Sequence, residues 1–176
     1  METQKASIKK IAFNYGLILA LLTIGVSVIV YVLGLQYDQP WWQSLLNFGI
    51  MTLMIVYGLK AFQKENDGYL SLGEALKTGV AISLIAGIVG SIFTYLFVTV
   101  IEPEFIVNML DITRDKMVEQ NPDITEEQLE MGIGITEKMM TPGIMIAMGI
   151  IASLFFGFII SLIAGLIMKR KSPLLP

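Results

Sequence analysis

Charged residues are absent from four long stretches of the chain. No Asp, Glu, Lys or Arg occurs in residues 11–37, 39–59, 78–101 or 139–168. Because a hydrocarbon core about 30 Å thick is crossed by roughly 20 residues of helix, each stretch is long enough to cross a bilayer. We predict an all-α membrane protein with one membrane domain over residues 1–176. Its four transmembrane helices are expected at about residues 11–35, 42–62, 76–101 and 143–168.

Helix-start patterns refine these limits. The first helix is expected to begin near Ser7 and end near Leu35, and the six to eight residues that follow contain Pro40 and require an antiparallel hairpin. Ser71-Leu72-Gly73-Glu74 has the pattern of a capping box, so the third helix is expected to begin at Ser71, before its apolar part. Thr141-Pro142 offers an N-cap and a first-turn proline for the fourth span.

The segment 102–141, between the third and fourth spans, is acidic. It holds ten acidic residues against Arg114, Lys116 and Lys138. Pro103 and Glu104 suit the first turn of a helix, and Thr125-Glu126-Glu127-Gln128 predicts the start of a second one. We therefore expect an extracytoplasmic helical hairpin here rather than a linker.

The basic residues predict the orientation in the membrane. Positive charge in the flanks of spans marks the cytoplasmic side, and nine of the twelve basic residues lie on one side of a four-span chain. This pattern predicts a multi-pass protein of the inner (cytoplasmic) membrane with both termini in the cytoplasm. The nine residues are Lys5, Lys9, Lys10, Lys60, Lys64, Lys77, Lys169, Arg170 and Lys171.

The composition excludes most catalytic and cofactor chemistry. The chain has no Cys and no His, which removes disulfides, thiol nucleophiles, Cys/His metal sites and Ser–His catalysis. The spans hold no ionisable residue deep in the membrane, so proton-coupled transport is disfavoured. Asp111, Asp115 and Glu119 lie on one helix face, which we interpret as a solvated face. We expect no cofactor, no metal, no enzymatic activity and no binding of nucleic acid.

Small residues recur every four positions in two spans. The third-span row is Gly79, Ser83, Gly87 and Ser91, and the fourth-span row is Gly149, Ser153, Gly157, Ser161 and Gly165. Such rows let helix backbones approach closely, so all nine residues are predicted helix-packing sites. The spacing leaves open whether each row contacts the other row or a second copy of the protein. Ile160 is expected on the opposite, lipid-facing side of the fourth span.

The stretch Ser71–Gly79, SLGEALKTG, resembles a signature of a bacterial membrane family known as domain of unknown function 4199. Tyr15–Ile18, Glu102–Glu104 and Gly157–Ile163 resemble further parts of the family, so the similarity covers essentially the whole chain. The resemblance implies a four-span bacterial membrane protein with a variable outer segment between spans three and four. It implies no activity.

The function expected from these features is a non-enzymatic interaction or assembly component of the membrane. Its expected partners are the lipid bilayer and either a second copy of the chain or another membrane protein. The alternative is a subunit of a transporter for small solutes or lipids.

Overall fold

A computed structural model describes residues 7–170, so Lys5 and Lys171 of the basic flanks lie outside the described residues. The described chain is all-helical and contains no β-strand, which confirms the predicted all-α class. Four helices are long and apolar enough to cross a membrane: the first, the second, the third with its extension to Ile101, and the last. The helices are α1 (Ile8–Val32), α2 (Trp41–Glu65), α3 (Leu72–Leu96), α4 (Phe105–Gln120), α5 (Glu126–Met139) and α6 (Pro142–Met168).

Side chains cap the helix starts where the sequence predicts them. The Ser71 hydroxyl accepts a hydrogen bond from the Glu74 amide at 3.2 Å, and the Glu74 carboxylate accepts one from the Ser71 amide at 2.8 Å. Thr125 and Gln128 form the same reciprocal pair at the start of α5. These bonds satisfy amides that have no partner within the helix, which is why α3 begins before its apolar part.

Two helix ends differ from the expected limits. Helix α1 ends at Val32 rather than near Leu35, because Gly34 has a φ of +70° and the chain turns there, with the Leu35 amide bonded to the Val30 carbonyl at 3.0 Å. A glycine in this conformation is a common helix stop. Helix α2 continues to Glu65, about one turn beyond its apolar part.

The expected starts at Pro103 and Thr141 also differ in detail. Phe97–Ile101 forms a π-helical turn after α3, and α4 begins at Phe105, so Pro103 lies in a turn before the helix. The Thr141 hydroxyl donates to the Lys138 carbonyl at 2.9 Å. Only Met140 and Thr141 separate α5 from α6, so this hydroxyl is within reach of the last carbonyls of α5. Pro142 is the first residue of α6, as the sequence predicts.

The chain forms two compact units. Among the described residues, 7–90 and 150–170 make the first, and Ser91–Gly149 makes the second. The first unit contains α1, α2 and most of α3 and α6 around a core in which Ile55, Leu59 and Ile82 are fully buried. The second contains the end of α3, the π-helical turn, α4, α5 and the start of α6.

The outward faces of the spans in the first unit carry large apolar side chains. Leu21 of α1, Leu53 of α2 and Ile163 of α6 are each more than half exposed. A soluble helix would place polar residues there, whereas a helix in lipid keeps apolar side chains on both faces. This surface fits a lipid environment.

Candidate functional site

The two rows of small residues lie against each other in an antiparallel register. Within the first unit, Gly79 lies opposite Ser161, Gly157 opposite Ser83, and Gly87 opposite Ser153. Within the second unit, Gly149 lies opposite Ser91. The four-residue step is shared, so in each of these four pairs a glycine of one helix faces a serine of the other. Each row therefore has a partner within the same chain.

The backbones approach most closely at Gly157, the middle residue of the fourth-span row. A Cβ added to Gly157 would lie 2.5 Å from the Ser83 Cβ, and one added to Gly79 would lie 2.7 Å from the Ser161 Cβ. A Cβ added to Gly87 would lie farther from its partner, at 3.2 Å from the Ser153 Cβ. Ordinary carbon–carbon contact is about 3.5–4.0 Å, so the middle positions accept only glycine at this helix separation.

The serine hydroxyls of the interface bond to backbone carbonyls. Ser83 donates to the Gly79 carbonyl at 2.9 Å and Ser161 donates to the Gly157 carbonyl, each within its own helix. Ser153 donates to the Ser83 carbonyl at 2.8 Å and so joins α6 to α3. Of these three bonds, only the one from Ser153 adds attachment between helices that lipid does not drive together. These nine residues therefore form a packing interface within the chain.

Ile160 is not on the lipid-facing side, and that expectation is wrong. The side chain is 5% exposed and belongs to the core of the first unit. At about 100° per residue, Ile160 lies only about 60° from Gly157 around the helix, on the flank of the small-residue row. Ile163, which is 55% exposed, lies on the outward face.

Three packing residues escape the sequence analysis. Ala75 extends the third-span row by one step and lies opposite Gly165, where an added Cβ would be 2.7 Å from the Ala75 Cβ. Gly16 of α1 meets the Ile82 carbonyl, at 2.7 Å from an added Cβ, and Gly58 of α2 is covered by the end of the Ile82 side chain. The four-residue spacing could have identified Ala75. Gly16 and Gly58 are single glycines, so no periodic pattern marks them.

Polar atoms without partners occur at two places in the described spans. The Thr78 side chain is fully buried, and among residues 7–170 its hydroxyl has no hydrogen-bond partner. The Asn47 side-chain oxygen is also buried and has no partner within the same residues. Asn14 is exposed. These groups lie in different helices and do not form a shared polar centre.

Helices α4 and α5 pack together as a hairpin, hereafter the α4–α5 hairpin (residues 105–139). Met109 and Leu129 are buried between them, and Met117 lies over Gly132, where an added Cβ would be 2.5 Å from the Met117 Cε. A glycine that weakens helix propensity thus allows close contact between the two helices. The helical character of the segment is as expected.

The outer surface of this hairpin combines carboxylates with an apolar stripe. Asp111, Asp115 and Glu119 are exposed, and the described residues contain no group of three or more acidic side chains placed to hold a metal ion. Met131, Ile135 and Met139 are 63%, 56% and 56% exposed and share one face of α5, hereafter the α5 stripe. Residues four apart are neighbours on a helix surface, so the stripe is continuous.

A comparison with protein families gives one match. Residues 14–170 match the family described as "Protein of unknown function (DUF4199)". The chain belongs to this family. The match begins within α1 and ends at Arg170, so it includes both rows of small residues and the hairpin. The resemblance noted from Ser71–Gly79 is therefore confirmed at the level of the family. The chain has no significant match among curated proteins or among solved structures.

Proposed function

We propose that this protein is a non-enzymatic interaction component of the bacterial inner membrane, and that its α4–α5 hairpin binds another protein. The observation that carries the proposal is the α5 stripe. Large apolar side chains that are exposed side by side outside the spans are typical of surfaces that bind a partner. The rows of small residues are occupied by each other, so the hairpin is the better candidate for an interaction surface.

Charge favours a basic protein as the partner. Segment 102–141 holds ten acidic and three basic residues, which gives a net charge of −7. A second copy would bring the same negative surface against the stripe, and an anionic lipid surface would also repel it. A partner with Lys or Arg around an apolar centre would satisfy both the carboxylates and the stripe. This chemistry supports a different protein over self-association.

Photo-crosslinking tests the proposed surface in the native membrane. A photoreactive amino acid at Ile135 should give one discrete protein adduct, whereas the same group at Glu137, on another exposed face of α5, should not. Replacing Met131 and Met139 by Asp should abolish the adduct, since both are exposed and their loss leaves the fold unchanged. An adduct of twice the chain's mass, equal adducts at both positions, or none at Ile135 would contradict the proposal.

The proposed orientation places both termini in the cytoplasm and the hairpin outside. Lys60, Lys64 and Lys77 flank the connection between α2 and α3 and support this orientation. A single cysteine at Asn66 should be protected from an impermeant thiol reagent in intact spheroplasts, and one at Asn121 should react. Labelling at Asn66 from outside would refute the orientation. The wild-type chain has no cysteine, so it serves as the control that should not be labelled.

A further inference from the structure

Four basic residues converge on one cleft at the end of the first unit. The cleft is a shallow depression of about 540 Å³, open to its surroundings, between the last turns of α2, the connection that follows it, and the end of α6. Its lining contains no carboxylate. The residues that line it are Lys60, Gln63, Lys64, Gly68, Ile167, Met168, Lys169 and Arg170.

Hydrogen bonds fix the frame that carries these cations. The Gln63 side-chain amide donates to the Gly68 carbonyl at 3.1 Å and to the Met168 carbonyl at 3.3 Å, so it joins α2 to the end of α6. Leu70, which is fully buried, and Arg170 exchange backbone hydrogen bonds of 3.1 Å and 2.8 Å. The last residues of α6 are thereby held beside α2, although about a hundred residues separate them in the sequence.

The positive-inside rule does not explain why four basic residues line the same cleft. That rule depends on the number of Lys and Arg residues near the ends of spans. Lys9, Lys10 and Lys77 meet it from the flanks of α1 and α3 without lining this cleft. Four like charges around one cavity repel each other, and a bound anion removes that repulsion. The arrangement therefore favours an anionic ligand.

An exposed apolar side chain beside the cations favours a phospholipid over a free anion as the ligand. Ile167 lies in the last turn of α6 and is 78% exposed, beside Lys169 and Arg170. A phospholipid would place its phosphate on the cations and an acyl chain along Ile167. Free phosphate would make no use of this side chain. Basic pockets between transmembrane helices have the chemistry that binds anionic lipid headgroups.

We propose that this cleft binds the phosphate of an anionic phospholipid, with Lys60, Lys64, Lys169 and Arg170 as its counter-charges. Arg170 offers planar paired donors to phosphate oxygens, and the lysines add point charges. The proposal rests on membrane insertion of the spans but not on the protein partner proposed for the α4–α5 hairpin.

Lipid binding to the delipidated full-length protein tests the site. Titration with phosphatidylglycerol, followed by native mass spectrometry, should show binding that phosphatidylcholine does not match. The double variant Lys64→Gln/Arg170→Gln should bind phosphatidylglycerol roughly thirty-fold more weakly, since each cation near a membrane surface contributes about a five-fold factor. Lys60→Gln/Lys169→Gln, made from the remaining two cations, should show a similar loss.

A matched control removes the same charge from the same end of the spans. Lys9→Gln/Lys77→Gln should change phosphatidylglycerol affinity by less than about three-fold, because neither residue lines the cleft. Equal losses in the cleft and control variants would show general attraction and overturn the proposal. Equal binding of phosphatidylcholine, or no binding of phosphatidylglycerol by the wild type, would do the same.

The source of the phosphate is tested separately. Ile167→Ser should weaken binding of phosphatidylglycerol several-fold and leave the unfolding midpoint unchanged, since the side chain is exposed. Millimolar inorganic phosphate should fail to displace the lipid at constant ionic strength. Displacement by phosphate together with no effect of Ile167→Ser would assign the cleft to a free anion and refute the lipid.

Discussion

A single methyl group added at Gly157, where α3 and α6 are closest, is expected to destabilise the protein. Gly157→Ala would place a Cβ 2.5 Å from the Ser83 Cβ. Both atoms are fixed to helix backbones, so no side-chain rotation relieves the overlap. The helices must separate by about 1 Å or more to restore ordinary contact. Overpacking of this kind costs about 1–3 kcal/mol, and the better helix propensity of Ala returns about 1 kcal/mol.

We therefore expect Gly157→Ala to lower the free energy of unfolding by up to about 2 kcal/mol, and Gly157→Leu to lower it further. Insertion into the membrane should not change, because Leu is more favourable in the bilayer than Gly. The measurement is the midpoint of heat denaturation, followed by fluorescence-detected size exclusion. Gly149→Ala is the matched control in the same row, since the nearest atom to its added Cβ is the Ser91 Oγ at 3.9 Å.

A compensating substitution makes the test specific to this contact. Ser83→Gly removes both atoms that the new Cβ would overlap and leaves the Met51 Cε at 3.5 Å. The double variant Gly157→Ala/Ser83→Gly should show a favourable coupling of about 1–2 kcal/mol relative to the sum of its single variants. If Gly157→Ala behaves like Gly149→Ala, or if the two changes are additive, the rows are not in the contact described here.

Three further outcomes follow from the packing and composition. Thr78→Val should raise the free energy of unfolding by about 1–2 kcal/mol in heat denaturation, because it replaces a buried hydroxyl without a partner in residues 7–170 by a methyl group of similar size; a loss of stability would show that the hydroxyl has a partner. Gly16→Ala should destabilise, since its Cβ would be 2.7 Å from the Ile82 carbonyl oxygen, whereas Gly25→Ala, which meets nothing within 4 Å, should not; equal midpoints would contradict the close approach of α1 to α3. The purified protein in liposomes should show no proton- or sodium-coupled uptake, because the spans hold no deep ionisable residue, and a flux that survives purification would favour the transporter alternative.

The features predictable from sequence are those encoded locally. The uncharged stretches predict four spans because the bilayer sets a minimum length of apolar helix. The capping pairs Ser71/Glu74 and Thr125/Gln128 form as predicted because their partners are three residues apart. The end of α1 near Gly34 differs from the prediction. An apolar stretch does not mark the position at which a glycine takes a positive φ and ends the helix.

The sequence does not predict which helices contact each other when they are distant along the chain. A row such as Gly149–Gly165 predicts close approach to some helix but contains no information on which one. The pairing of Gly157 with Ser83 depends on the antiparallel register, which only the fold supplies. Gly16 and Gly58 are recognisable as packing sites only when Ile82 is seen to lie against them. The basic cleft, likewise, requires residues about a hundred positions apart in the sequence to meet.

The use of the small-residue rows within one chain changes where interactions with other molecules are expected. A row that faces a second copy would tie assembly to Gly157 and Ser83, whereas here these residues hold α3 against α6. The outward faces of the spans carry large apolar residues suited to lipid. Two charged regions then remain as proposed binding surfaces, the acidic α4–α5 hairpin and the basic cleft at the end of α6. Because the hairpin and the cleft carry opposite charge, one ligand does not suit both. Substitutions in the hairpin should therefore leave lipid binding at the cleft unchanged, and substitutions in the cleft should leave protein binding at the hairpin unchanged.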